Sequence, residues 1–323
     1  MQRTAIVLIV VVCAAAAVGA VATFLLAGRA EQADSLATQA TLDEPELALP
    51  TEPSGASAAK VSNTGCPIQL VDVIEETGID FVNFSGMSPE KLYPSANNTG
   101  VALIDYDQDN HLDVFFGNGE LLLPGGEDPP TQFWRSLGDG RFENVTEPSG
   151  LKIHGFTFGL GVGDYNNDGF PDLYVARYGD YIMMRNNGDG TFSDVTAEAA
   201  VGDDHWANSV AFLDYDYDGV LDLYVTNYGD WNLQWHRNHV CGEGNPFVKL
   251  FCTPKIVPVV PNLFYRGLGD GRFKNVIKEL GLQRPDSRST SVVAVDLNLD
   301  GLIDLYVTND LEPNFTFINV GDG

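Results

Sequence analysis

Four acidic nonapeptides carry the chemistry legible in this chain. They are Asp105-Tyr-Asp-Gln-Asp-Asn-His-Leu-Asp113, Asp164-Tyr-Asn-Asn-Asp-Gly-Phe-Pro-Asp172, Asp214-Tyr-Asp-Tyr-Asp-Gly-Val-Leu-Asp222 and Asp296-Leu-Asn-Leu-Asp-Gly-Leu-Ile-Asp304. Their shared form is D-x-[DN]-x-[DN]-G-x-x-D, with Asn110 in the glycine place of the first copy. Oxygens at alternate positions of a tight loop can converge on one point, and calcium takes about 6–8 oxygen ligands at roughly 2.3–2.6 Å. Glycine at the sixth position supplies left-handed backbone, and Asn is the next most tolerant residue there. About four Ca²⁺ sites are therefore expected. The side-chain ligands are Asp105, Asp107, Asp109 and Asp113; Asp164, Asn166, Asp168 and Asp172; Asp214, Asp216, Asp218 and Asp222; and Asp296, Asn298, Asp300 and Asp304. The seventh residue of each loop (His111, Phe170, Val220 and Leu302) would add its carbonyl.

An EF-hand is excluded, because it needs a bidentate Glu at position 12, where these loops hold Phe116, Val175, Val225 and Val307. Carboxylates acting only as turn formers would account for one such loop better than for four. Magnesium fits less well than calcium, since it demands near-ideal octahedral geometry and keeps its waters.

The elements that position these loops follow from their flanks. Apolar stretches precede them (Val101-Ala-Leu-Ile, Ser209-Val-Ala-Phe-Leu, Val292-Val-Ala-Val) and β-rich ones follow (Val114-Phe-Phe, Leu173-Tyr-Val, Leu223-Tyr-Val, Leu305-Tyr-Val). Each loop thus joins two strands. Gly-Asp-Gly turns at 138–140, 188–190, 269–271 and 321–323 read as hairpins, with Asp139, Asp189, Asp270 and Asp322 as turn residues. One unit is then strand, acidic loop, strand, strand, hairpin, strand, and a repeated four-stranded sheet is a propeller blade. First ligands are 59, 50 and 82 residues apart. The excess lies between Val225 and Pro261, as an insertion into the third unit. Within it Cys241 and Cys252 are expected to pair, as close cysteines in an exported loop do. His236, His239 and Cys241 raise a zinc site, but no fourth ligand stands at a plausible spacing.

From Thr77 to Gly323 the chain resembles the FG-GAP/VCBS calcium-binding propeller repeats, the blade type of integrin α-subunit heads. Further motifs carry the resemblance: Gly78-Ile-Asp-Phe, Tyr174-Val-Ala-Arg-Tyr-Gly, Thr226-Asn-Tyr-Gly, Cys252-Thr-Pro-Lys and Thr308-Asn-Asp-Leu-Glu-Pro-Asn314. In arrangement the chain is similar to the cartilage acidic protein family, whose bacterial members usually carry an ASPIC/UnbV domain after the propeller. The resemblance implies an extracytoplasmic, calcium-stabilised scaffold; Asn110 departs from the pattern, and no ASPIC/UnbV region is present. The expected fold is an all-β propeller, about four blades of a seven-bladed ring truncated at the C-terminus. A closed four-bladed ring would require Ile79 to Phe84 to supply the missing outer strand.

Composition narrows the function. The chain has 323 residues and a formal charge of −27, which excludes phosphate-backbone binding. Yet 44% of residues are hydrophobic and 11% aromatic, so disorder is excluded too. Setting aside the 14 loop aspartates leaves 31 acids against 18 bases, so the loops carry half of the imbalance. Residues 1–29 combine Arg3, an apolar run from Ala5 to Ala27 and Arg29. The run is long enough to cross a bilayer, as a signal anchor, although Ala20-Val-Ala22 also offers a cleavage site of a signal peptide. Residues 30–65 read as a flexible linker and 66–323 as the propeller; Cys66 has no evident partner.

The expected function is an exported calcium-binding scaffold for protein or glycan binding or adhesion, touching a membrane only through its N-terminal segment. The alternative is a module of an exported polysaccharide-acting enzyme. His111, His154, His205, His236 and His239 are scattered and no nucleophile motif is present, so no catalytic residue is assigned. Trp206, Trp231 and Trp235 could stack on sugars but read as core. Asn-x-Ser/Thr sites at Asn83, Asn97, Asn144 and Asn314 matter only in a glycosylating host.

Overall fold

Fifteen short strands and a few helices of one or two turns form the regular structure of this computed structural model, which describes residues 70–97, 99–123, 128–239, 241 and 249–321. The first sheet is a meander of β1 (Val101–Ile104), β2 (Asp113–Phe116), β3 (Gln132–Ser136) and β4 (Phe142–Asn144). The second comprises β5 (Thr157–Gly163), β6 (Asp172–Arg177), β7 (Ile182–Asn186) and β8 (Phe192–Asp194). The third is β9 (Trp206–Leu213), β10 (Asp222–Gly229), β11 (Leu263–Gly267) and β12 (Phe273–Asn275); the fourth has three strands, β13 (Ser289–Val295), β14 (Asp304–Asn309) and β15 (Phe315–Phe317). All neighbours pair antiparallel. This mostly-β arrangement of successive meanders is consistent with propeller-like blades.

Ile79–Phe84 forms no strand, so it does not supply an outer strand to the fourth sheet; Phe81 instead stacks on Phe116, with ring centroids 4.5 Å apart. The signal segment, the linker, Cys66 and Asp322 of the last hairpin turn lie outside the described residues. Among those described, no helix is long and apolar enough to cross a membrane.

In the second and third sheets the second strand sits between its neighbours and is covered on both faces, which favours apolar residues without alternation. Every residue of β6 and β10 is buried. Core clusters fill the spaces between sheets: Phe115, Phe133, Leu173 and Phe192 between the first and second, Tyr174, Tyr181, Leu223 and Phe273 between the second and third, and Tyr224, Phe264, Leu305 and Val307 between the third and fourth. Close approach of first strands needs small residues. A Cβ added at Gly159 would stand 2.7 Å from the Asn208 carbonyl oxygen and from Ser209 Cα on β9.

The acidic loops lie at one end of the sheets, where first strands finish and second strands start. At the other end sits an aromatic cap of Tyr93, Phe156, Phe158, Trp206, Tyr228 and Trp231, joined by Val257 from the insertion. The insertion is closed by a disulfide between Cys241 and Cys252, whose Cα atoms are 5.1 Å apart.

After β4 and β8 come short helices, Thr146–Ser149 and Thr196–Ala199. Each ends on a left-handed residue, Gly150 at φ 78° and Ala200 at φ 61°. The corresponding turn after β12 ends on Gly281 at φ 68°. Only Ala200 places a Cβ where left-handed backbone disfavours one, and its side chain is exposed. Ala200→Gly is expected to raise stability by about 0.5–1 kcal/mol, read as an increased denaturation midpoint with an unchanged m-value; a lowered midpoint would contradict this account.

Candidate metal centres

Each acidic loop is built around its ninth residue. Asp113, Asp172 and Asp222 are fully buried and Asp304 is 1% exposed. One carboxylate oxygen of each accepts the N–H of the loop's second residue: Tyr106 at 3.1 Å, Tyr165 at 3.3 Å, Tyr215 at 3.0 Å and Leu297 at 2.9 Å. The other accepts an N–H from the third-strand side of the same sheet: Ser136 at 2.8 Å, Asn186 at 2.8 Å, Gly267 at 2.9 Å and Asn319 at 2.8 Å. This carboxylate thus fastens the end of the first strand to the third across the second. Burial pushes Asp113 up to about 6 and Asp172 and Asp222 up to about 7, against the pull of those N–H bonds.

The first residue closes the turn. Asp164, Asp214 and Asp296 accept the N–H groups of both the fifth and the sixth residues, at 2.8–3.2 Å, and Asp105 accepts that of Asn110 at 3.0 Å. The fifth residue then accepts the N–H of the seventh in every loop, at 2.8–2.9 Å. The side chain of the seventh packs on the hairpin turn. A Cβ on Gly138 would stand 2.8 Å from the His111 ring, and one on Gly188 2.8 Å from the Phe170 ring. The first glycine of Gly-Asp-Gly is therefore fixed by close approach as well as by its positive φ of 74–80°.

The fourth residue was not singled out by sequence. Gln108, Asn167, Tyr217 and Leu299 all have left-handed backbone, φ 57–63°. Three of them reach the next loop: Gln108 Nε2 donates to the Gly169 carbonyl at 2.5 Å, Asn167 Nδ2 to that of Gly219 at 2.9 Å, and Tyr217 Oη to that of Gly301 at 2.7 Å. Their varied side chains hid a common task, since only donor capacity and reach are shared.

At the third residue the loops divide. Where it is Asp, an arginine of the third strand neutralises it. Arg135 Nε lies 2.7 Å from Asp107 and Nη2 3.6 Å from Asp109; Arg266 Nη2 lies 2.5 Å from Asp216 and 3.4 Å from Asp218. Where it is Asn, the amide itself donates to the fifth residue, Asn166 to Asp168 and Asn298 to Asp300, both at 2.8 Å.

Acidic groups that could hold a metal ion follow this division. Oxygens of Asp105, Asp107 and Asp113 lie within 4.8 Å of one another, as do those of Asp214, Asp216 and Asp218. That matches oxygens sharing one ion at about 2.3–2.6 Å. Asp105 Oδ1 and Asp216 Oδ1 are buried without any hydrogen-bond partner, acceptors that a cation would satisfy. The second and fourth loops bring no such carboxylate trio together among the described residues. A third group, Asp203, Asp204 and His205, was passed over in sequence although the three are adjacent; the His205 ring nitrogen pairs with Asp203, which accounts for it without a metal. His236 and His239 bond to the carbonyls of Glu90 and Trp235, and the Cys241 sulfur lies in the disulfide. Trp206 and Trp231 are buried in the cap.

The FG-GAP-like repeat family matches residues 117–175 and 164–225. Those segments span the second and third acidic loops and the strands around them. No curated protein matches the chain. Among solved structures, a lectin of Agrocybe aegerita described as recognising non-reducing terminal N-acetylglucosamine aligns at 16% identity and a TM-score of 0.26, over 69% of this chain and 66% of the lectin chain.

The two kinds of loop aspartate differ in what their removal leaves behind. Asp222→Ala strands the buried N–H groups of Tyr215 and Gly267 and is expected to cost about 2–4 kcal/mol, measured by urea unfolding in metal-free buffer. Asp218→Ala removes an exposed acceptor and is expected to cost under about 1 kcal/mol. Equal costs for the two would refute the fastening role of the ninth residue.

Proposed function

We propose that this chain is an exported, calcium-stabilised β-propeller scaffold that binds a protein or glycan ligand and has no catalytic site of its own. One observation carries the reading: an acidic loop repeated four times at the same end of successive sheets, with partnerless buried carboxylate oxygens at Asp105 and Asp216. Such oxygens are costly in a folded protein unless something satisfies them. Calcium suits an all-oxygen, mixed carboxylate and amide donor set better than magnesium, which retains its waters. When bound it would supply the positive charge that the loops lack.

Residues Asp105, Asp107, Asp109 and Asp113, with the His111 carbonyl, would hold the ion of the first loop, and Asp214, Asp216, Asp218 and Asp222, with the Val220 carbonyl, that of the third. The second and fourth loops would use Asn166 and Asn298 among their donors. Arg135 and Arg266 occupy the outer oxygens of the third and fifth residues, so they set how strongly a cation must compete for the first and third loops. Extracellular calcium modules bind at roughly 10⁻⁴–10⁻³ M, which agrees with export through the N-terminal apolar segment. The absence of catalysis is supported by the uses already found for the perturbed carboxylates: Asp113, Asp172 and Asp222 fasten strands. The wider likeness to the cartilage acidic protein family rests on motifs such as Thr308-Asn-Asp-Leu-Glu-Pro-Asn314.

Thermal unfolding of the full chain tests the cation. At a Kd of roughly 10⁻⁴–10⁻³ M, millimolar calcium stands at about one to ten times Kd and adds about 0.4–1.4 kcal/mol per site, so it is expected to raise the melting temperature and excess EDTA to reverse the rise. Magnesium is expected to do markedly less. A melting curve indifferent to both calcium and EDTA would overturn the proposal.

A further inference from the structure

Each of the first three acidic loops reaches the next through one residue, and that residue stands between two candidate ligands. Gln108 lies between Asp107 and Asp109, Asn167 between Asn166 and Asp168, and Tyr217 between Asp216 and Asp218. Their backbone is left-handed, at φ 57–58°, a conformation disfavoured for residues that carry a Cβ. Leu299 shares it at φ 63° with no donor to place, so closure of the residue's own loop imposes it. In every loop the first carboxylate closes the turn by accepting the N–H of the sixth residue.

The receiving end of each link is part of the same closing device. Gln108 Nε2 donates to the carbonyl of Gly169, whose own N–H is held by Asp164 at 2.8 Å. Asn167 Nδ2 donates to that of Gly219, held by Asp214 at 3.0 Å, and Tyr217 Oη to that of Gly301, held by Asp296 at 2.9 Å. The turn of one loop is thus joined to the closing bond of the next. All three links are exposed, where water competes for donor and acceptor and a hydrogen bond adds little unless its ends are already placed. Such a bond favours two closed neighbours over one closed loop beside an open one.

We propose that Gln108, Asn167 and Tyr217 couple calcium binding in adjacent loops, so that occupancy of one loop raises the affinity of its neighbours; the inference rests on the calcium reading given above. Once the third and fifth residues of a loop are held on an ion, the fourth is fixed between them with its donor presented. The glycine it grips is ordered in turn, and with it the first carboxylate of the following loop. That loop then has less freedom to lose when it binds. Coupling of affinities is reciprocal, so the effect runs in both directions along the loops. A static brace between sheets would use the same three bonds, but it would stabilise the chain equally with and without calcium.

Calcium titrations of the full chain by calorimetry test this with Asp218→Ala, which removes an exposed ligand of the third loop, placed in two backgrounds. One is the unaltered sequence. The other carries Asn167→Leu and Tyr217→Phe, which delete both links of the third loop and replace no candidate ligand. Leucine already occupies this place in the fourth loop, as Leu299, and both substituted side chains are exposed, so folding is not threatened. In the unaltered background, loss of the third site is expected to weaken the remaining ones about fivefold; in the unlinked background they are expected to keep their affinity. The two link substitutions are also expected to lower the melting temperature more in calcium than in excess EDTA. Equal responses of the two backgrounds, or an equal loss of stability in calcium and in EDTA, would overturn the coupling and leave the calcium reading standing. Absence of calcium binding by the unaltered chain would overturn both.

Discussion

A carboxylate that accepts two backbone N–H groups from opposite sides of a strand fixes the distance between its neighbours, and this chain repeats that arrangement once per sheet. Asp113, Asp172, Asp222 and Asp304 each tie the loop after a first strand to the third-strand side of the same sheet. The bonds favour an ionised group, whereas its burial disfavours one; burial is the larger influence for the first three. The arrangement therefore holds the sheets in register while leaving negative charge in a poorly solvated place. The buried, partnerless oxygens of Asp105 and Asp216 deepen that deficit.

Two local remedies for the charge alternate along the chain. In the first and third loops a guanidinium from the third strand lies against the third and fifth residues. In the second and fourth an amide replaces one carboxylate and bonds the next. Partly exposed ion pairs of this sort contribute little on their own, so the guanidinium only partly offsets the charge gathered in the first and third loops. The loops are also connected to one another through the fourth residue, whose side chain in three loops donates to the glycine carbonyl of the next. Movement of one sixth-position glycine would thus be felt by the preceding loop.

Much of this was legible in sequence because it is local. The nonapeptide pattern, the Gly-Asp-Gly hairpins and the strand flanks are all set within a dozen residues, and the strands stand where those signals put them. What stayed hidden depends on long separations or on backbone shape. Arg135 meets Asp107, and Arg266 meets Asp216, only after two strands fold back. The left-handed fourth residue leaves no compositional mark when it is Gln, Asn, Tyr or Leu. The buried ninth aspartate read only as a ligand, because a one-dimensional pattern does not reveal that its oxygens also hold backbone N–H groups. Ile79–Phe84 alternates enough to resemble a strand, yet Phe81 is drawn to Phe116 instead.

The two ends of the sheets tolerate change unequally, and the fastening carboxylates explain why. At the loop end the connections 105–112, 164–171, 214–221 and 296–303 are equal in length, and the hairpin turns 137–141, 187–191 and 268–272 are too. Adding a residue to either would move an N–H group away from a buried acceptor. At the cap end the connections between second and third strands run over 117–131, 178–181, 230–262 and 310–314. There the joining force is apolar packing around Trp206, Tyr228 and Trp231, which is non-directional and accepts segments of different length. The disulfide-closed insertion entered at this end and contributes Val257 to the cap. Variation in length and sequence is accordingly expected to accumulate at the cap, while the acidic end stays fixed by its hydrogen bonds.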